Sequence, residues 1–412
     1  VVNPVRYTLT LFFKGILWLL GIFLLIEAVI YFLAPVYDFQ EPVPFSGTRW
    51  YNPYHDIDTA NWRRANLHFH TRRWAGITAG EGTEEECYEQ YRKLGYDVAA
   101  LSHYQYITEF QKDSPYYIPV YEHGFGVRKK HQMLVGAKKV LWLDYSLIQN
   151  INHKQHIINL LRPTSEIVTI AHPDWENGYS LEDMRYLSNY DLIGVLDNNW
   201  NSFEQWDAAL SAGRPVYIQG DEDGHNIYDP YEVGRRCTYI NSPTRNSDDL
   251  VKNLRSGNAF GADIYMREHE TFKEKEERLQ WIPKITEVSV RQDTLWVKTD
   301  TIAMKFTFIG QGGSPRKIQY LTDTGWYLLQ PEDSYIRTEV TFFSQYKHPG
   351  TVFYLNPVFR YNGDPPSNKL TASINWERTW IFRIMTLGSL LVGFWLIIKV
   401  RPTRWRRKQS RG

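Results

Sequence analysis

Between about residue 64 and residue 262, short apolar runs alternate with amphipathic stretches. Runs at 65–70, 97–102, 118–122, 131–135, 140–143, 167–171, 192–197, 215–220 and 236–240 predict strands. Stretches 83–94, 151–161, 181–187, 202–212 and 247–256 predict helices. The first of these opens on Thr83 with acids in its first turn and stops at Gly95. Alternation of strand and helix predicts an α/β barrel or parallel sheet. A charged stretch, 264–282, reads as a surface helix or linker. Beyond it, runs at 285–290, 294–298, 304–309, 317–321, 326–329, 336–343 and 351–359 sit between Gly, Pro, Asp and Asn turns, which predicts a β-sandwich.

Both ends carry longer apolar blocks. Residues 15–34 and 379–400 each reach the ~20 residues that cross a hydrocarbon core. Arg401, Arg404, Arg406, Arg407, Lys408 and Arg411 follow the second block, while Arg6 and Lys14 flank the first and Asp38 and Glu41 come after it. The positive-inside rule then predicts two uncleaved membrane helices, cytoplasmic termini and an extracytoplasmic middle, periplasmic if the cell is bacterial. Glu27 and Arg383 fall at similar depth in the two helices, and an unpaired charge there is costly, so the two are expected to pair. The expected division is a 1–36 anchor, a 37–63 linker with a Pro-rich stretch, a 64–263 metallohydrolase barrel, a 264–283 charged linker, a 284–376 sandwich, a 379–400 membrane helix and a 401–412 basic cytoplasmic tail.

Composition narrows the classes. The 412 residues carry a net charge of only +1, so the basic surface that a general nucleic-acid binder needs is missing. The 2 cysteines, Cys87 and Cys237, form no Cys-x-x-Cys, which removes a thiolate zinc site and a dithiol redox motif. One disulfide, or two buried thiols, remain open.

The chemistry gathers at strand ends. His68 and His70 close the first run, and residues two apart on a strand face the same way, so both imidazoles can aim at one point. Ser102-His103 closes the second run, Glu122 the third, and His131 opens the fourth. His172 closes 167–171, and Asp223-Gly224-His225 follows 215–220. In α/β barrels such ends form one rim. The remaining histidines, among them His123, His153 and His156, read as surface or satisfied residues.

His68-Phe69-His70, Ala100-Leu101-Ser102-His103, Tyr121-Glu122-His123-Gly124, His131, Ile170-Ala171-His172-Pro173 and Glu222-Asp223-Gly224-His225 resemble, in order, the motifs of the PHP (polymerase and histidinol phosphatase) superfamily. The resemblance is greatest to extracytoplasmic members in which a β-sandwich follows the barrel. It implies a distorted seven-stranded α/β barrel of TIM-like kind holding two or three divalent ions: Zn, Mn or Fe. It implies further that His68, His70, Glu122 and Asp223 bind one ion. Glu122 would bridge to a second ion held also by His131 and His172. His103 and His225 would serve a third ion or support the others, with Glu122, Asp223 and His225 carrying the catalysis. Ser102 stands where many members have Asp, and Trp74, Ala75 and Gly76 stand where a further ligand is usual.

A carboxylate-bridged ion pair lowers the pKa of a shared water and neutralises charge on a phosphoryl group. Phosphomonoester or phosphodiester hydrolysis is therefore expected, on an extracytoplasmic substrate, lipid-linked ones included. Arg72 and Arg73 are expected to grip phosphate, and Asn198, Asn199 and Asn226 to meet substrate hydroxyls. Hydrolysis of a carboxylic ester, amide or carbamate, and a non-catalytic envelope binding module with a degenerate site, stand as alternatives. No nucleic-acid partner is expected.

Overall fold

A computed structural model of the chain describes residues 4–344, 349–365 and 367–400. Along the chain come α1 (Pro4–Leu33), β1 (Tyr37–Phe39), β2 (Arg49–Tyr51), β3 (Trp62–Asn66), α2 (Glu84–Lys93), β4 (Val98–Ala99), β5 (Val120–His123) and β6 (Gln132–Val135). Then come α3 (Ile151–Leu161), β7 (Ile167–Ile170), α4 (Leu181–Tyr186), β8 (Leu192–Leu196), α5 (Phe203–Ser211), β9 (Tyr217–Gly220), β10 (Arg236–Asn241), α6 (Ser247–Arg255) and β11 (Ala259–Asp263). The chain ends with α7 (Phe272–Leu279), β12 (Ile285–Arg291), β13 (Thr294–Gly310), β14 (Ser314–Leu328), β15 (Tyr335–Phe343), β16 (Pro349–Tyr361), β17 (Ala372–Ile374) and α8 (Trp376–Val400). The protein is a mixed α/β chain of two compact units, one made from both ends and the other spanning Phe39–Thr371.

In the terminal unit, Leu11–Leu33 and Trp376–Leu396 are helices long and apolar enough to cross a membrane. β1 pairs with β17, and Thr379 Oγ1 accepts from the Val36 amide at 3.0 Å. Arg383 does not pair with Glu27. It donates to the Leu33 and Phe32 carbonyls at 2.7 and 3.3 Å, where the open end of α1 concentrates negative charge. Glu27 is buried, and its Oε2 has no hydrogen-bond partner. The basic tail, 401–412, lies outside the described residues.

In the central unit the helix starts follow local chemistry. Thr83 caps α2 reciprocally with Glu86, and Asn150, Ser180 and Thr271 open α3, α4 and α7 in the same way. Among the described residues, β5-β6-β7-β8-β9 form one sheet. All its residues but Gly194 are buried, which is why these strands read as unbroken apolar runs. Alternation of strand and helix predicts an α/β barrel or parallel sheet. Instead β5, β6 and β7 run antiparallel and only β7-β8-β9 are parallel. Run 140–143 forms no strand. The Leu141 amide donates to Tyr121 Oη and the Leu143 carbonyl meets His123 Nε2, so side chains take the place of a neighbouring strand.

The second sheet runs β12-β13-β15-β16-β11-β10-β3-β4, with β14 beside β13 and β2 beside β16. The strands after residue 284 therefore do not stand apart as a sheet of their own. β16 pairs with β11 along Phe260↔Leu355 to Asp263↔Val352, because the outer side of β11 offers a row of backbone groups that need partners. The turn expected near Asp300 is instead an irregularity within β13 between Lys298 and Ala303. Asp300 there accepts from the Lys284 amide at 2.9 Å. Single parallel bridges, Tyr104↔Glu122 and Phe69↔Gly224, link the two sheets beyond the ends of β4 and β3.

Candidate metal centre

β3 ends at Asn66, but the chain stays extended through His70. The Leu67 amide donates to Asp221 Oδ1 at 3.0 Å, the His70 amide to the Gly224 carbonyl at 2.9 Å, and the Ser102 amide to the Phe69 carbonyl at 3.0 Å. His68 and His70 consequently share a side. His68 Nε2 lies 3.2 Å from Asp223 Oδ1 and 3.4 Å from Glu122 Oε2. His70 Nε2 lies 3.1 and 3.2 Å from the same two atoms.

Glu122 turns its other oxygen the opposite way. Oε1 is 2.6 Å from His131 Nδ1 and 3.2 Å from His172 Nε2. Two groups thus converge, His68, His70, Glu122, Asp223 and Glu122, His131, His172, each with its ligand atoms within 4.8 Å of one another. All six residues are buried. His68 Nε2, Glu122 Oε2 and Asp223 Oδ2 make no hydrogen bond. Polar atoms so enclosed are normally satisfied. Divalent cations coordinated by them would satisfy all three, and the mixed imidazole–carboxylate set suits Zn, Mn or Fe.

Backbone geometry aims these groups. His172 and Asp223 adopt left-handed φ values of 26° and 46°, a cost that clusters at functional sites. At Gly124, φ is +125° and a Cβ would stand 2.7 Å from His131 Cδ2, so only glycine lets this loop close on His131. Gly224 approaches Phe69 as closely, where a Cβ would fall 2.4 Å from the ring.

The electrostatics follow from burial against charge. Burial opposes ionisation of Glu122 and Asp223, yet the imidazoles around them hold both carboxyls below the usual range. Burial would also keep His68 neutral, but Asp223 and Glu122 outweigh it and push its pKa up to about 10. His70 is raised for the same reasons. His131, on the far side, is lowered by burial.

The other expected site residues lie outside the two groups. His103 Nε2 meets Glu84 Oε1 at 3.3 Å, and burial lowers its pKa to about 3. His225 stacks on His70 with ring centroids 4.7 Å apart and donates from Nδ1 to the Asp223 carbonyl at 2.9 Å. This fixes the tautomer and leaves Nε2 with its lone pair. Arg72 and Arg73 are paired with acids, Arg72 with Glu81 at 3.0 Å and Arg73 with Glu84. Asn198 donates to the Glu232 carbonyl at 2.7 Å, and Asn226 Oδ1 accepts from the Tyr228 amide at 3.0 Å. Both shape the loop that carries Asp223. The Asn199 amide donates to Asp197 Oδ1 at 2.7 Å.

Three residues at the site escaped the sequence reading. Glu84 sits at the first position of α2, where an acid reads as a partner of the helix dipole. Tyr104 stacks on His70 at 4.5 Å. Glu222 is buried, with its pKa pushed up to about 7 by burial. It accepts from Asn66 Nδ2 at 3.1 Å, from the Gly234 and Arg235 amides and from Tyr91 Oη, which anchors the segment next to Asp223. Its place in the Glu222-Asp223-Gly224-His225 segment was the available signal.

Both cysteines are free and buried, so no disulfide joins them. No family model matches the chain, and no curated protein matches it. Among solved structures, it is similar to a two-domain protein from Bacteroides vulgatus containing a predicted PHP-like metal-dependent phosphoesterase, with 12% identity, 77% of this chain and 99% of that one covered, and a TM-score of 0.37.

Proposed function

We propose that the central unit is a metal-dependent phosphoesterase of the PHP type. In this reading β3 to β9 make a distorted seven-stranded barrel, for which the bridges Tyr104↔Glu122 and Phe69↔Gly224 serve as the two seams. The observation that carries the reading is the division of Glu122 between two buried ligand groups, one oxygen to each. His68, His70, Glu122 and Asp223 would hold one divalent ion, and Glu122, His131 and His172 a second. Such ions supply Lewis acidity and a lowered pKa for water.

The chain's own residues then do the following. Glu122 and Asp223, kept ionised, set the charge and spacing of the centre. Tyr104 and Trp175 pack against His70 and His172, at 4.5 and 5.0 Å between centroids, and hold the rings in place. His225 Nε2 accepts a proton from the attacking water and returns it to the leaving alkoxide. Overall, water oxygen bonds to phosphorus, the P–O bond to the alcohol breaks, one water proton goes to the alcohol and the other stays with the phosphate or leaves to solvent. The two apolar helices and their flanking charges support membrane attachment with the central unit outside the cytoplasm.

The test is direct. The 412-residue chain in detergent, stripped by chelator and restored with Mn or Zn, should release phosphate or alcohol from a phosphomonoester or phosphodiester panel. Glu122→Gln should abolish this. A metal-loaded, folded protein that cleaves carboxylic esters or amides but no phosphoester would overturn the proposal.

A further inference from the structure

The loops that carry Trp74 and Trp142 expose aromatic surface. Trp74 is 42% exposed and Trp142 59% exposed, and their rings lie 5.8 Å apart, edge to face. Tyr106 extends the group, 6.3 Å from Trp74. The indole N–H of Trp74 is already used, donating to the Tyr104 carbonyl at 2.9 Å, so the ring presents apolar surface. Tyr104 in turn stacks on His70. Trp74 is thus tied through the Tyr104 backbone to a residue that packs on the ligand cluster, and its ring meets Trp142. Arg72 and Arg73, on the same loop as Trp74, pair with Glu81 and Glu84, and the Arg73 guanidinium lies 5.0 Å from the Tyr106 ring centroid. An apolar chain would find exposed ring surface at Trp74 and Trp142.

We propose that Trp74, Tyr106 and Trp142 form a subsite for an extended alkyl or isoprenoid chain on the alcohol side of the phosphoester. This rests on the phosphoesterase reading and narrows it to amphiphilic substrates whose phosphate reaches the cluster while the chain lies along the rings. The same chain carries two helices of membrane-spanning length, so substrates of this class would be at hand.

Two measurements on the metal-loaded 412-residue chain in one fixed detergent test it. The first is hydrolysis of butyl, hexyl and octyl phosphate; the second is binding of the matching alkylphosphonates, which cannot be hydrolysed, by titration calorimetry. KM and Kd should fall by roughly three- to fourfold per added methylene. Trp142→Ala should flatten both dependences, and Trp142→Leu should restore much of them. Because the same detergent is present throughout, partition into micelles is common to all variants. Trp142 lies on an exposed loop, so its loss spares the core. Hydrolysis with chain-length-independent KM and Kd would overturn the subsite while the phosphoesterase reading stands. Chain-length-dependent phosphonate binding that Trp142→Ala flattens, without hydrolysis of any ester, would support the subsite while overturning the phosphoesterase reading. A chain-length dependence identical in Trp142→Ala would assign it to the detergent and refute the proposal.

Discussion

Withdrawing divalent cations from the centre makes protons take their place. In the metal-free protein His68 faces the ionised carboxylates of Glu122 and Asp223 at 3.4 and 3.2 Å, which pushes its pKa up to about 10. At pH 7 only about one His68 in a thousand is then neutral, as a ligand must be. Binding a cation through Nε2 must expel that proton, so apparent affinity should rise roughly tenfold per pH unit from pH 7 towards pH 10. His70 is raised in the same direction by the same two carboxylates, so any proton it holds must also leave on binding. Mn titrations by calorimetry at pH 7, 8 and 9, each in two buffers of different ionisation enthalpy, count the protons released. Glu122→Gln removes one of the two charges that raise His68 and should reduce that count. The signs for stability are opposite for the two kinds of group. Protonated His68 and His70 stabilise the metal-free fold fully below their unfolded pKa of about 6.5, and this is lost as pH rises through their folded values. Glu122 and Asp223, depressed, contribute above their unfolded pKa of about 4, and this is lost as pH falls through their folded values. An affinity that is flat from pH 7 to 9, with heats that do not depend on the buffer, would refute the reasoning.

Further outcomes are expected elsewhere. Asp207 accepts from Arg337 Nη2 at 2.7 Å, Arg337 Nε at 2.9 Å and Tyr335 Oη at 2.9 Å, all buried. Asp207→Ala should therefore cost about 3 kcal/mol in urea unfolding, the lower end of the range for a broken buried pair, because Glu339 still meets Arg337. Gly124→Ala should weaken Mn binding by roughly 10- to 100-fold, since the new methyl would displace His131. Cys87 and Cys237, whose thiols burial pushes up to about 12, should resist iodoacetamide at pH 8 in the folded protein and react once it is unfolded.

The ligand groups were legible because each is a strand end with a distinctive side chain. His68 and His70 needed only the two-residue period of an extended chain, and Glu122, His131 and His172 each sit at the edge of a dense apolar run. What could not be read was which strand lies beside which. Nothing local in 118–135 distinguishes an antiparallel return from a parallel crossover, and nothing in 349–361 says that its partner is β11, since pairing is decided by which edge remains open. The ion pairs of Arg72 and Arg73 were hidden for a related reason. Two adjacent arginines after a metal motif suggest phosphate, but Glu81 and Glu84 lie close enough in the fold to claim them. Glu84 itself was hidden by its ordinary role at a helix start.

The return of β16 to β11 also bears on when the centre can be made. β2 pairs with the last residues of β16. Tyr54 Oη donates to the Ala259 carbonyl and accepts from the amide of Asn356, 302 residues later. A nascent chain that has emerged as far as α7 already holds every ligand, yet β11 lacks its outer neighbour and the N-terminal strand has nowhere to dock. Such long-range closure is slow, and an open edge in the interval invites association. Metal acquisition is therefore expected to follow completion of synthesis rather than accompany it, and a stop codon introduced before β16 should yield aggregated product rather than a smaller folded protein.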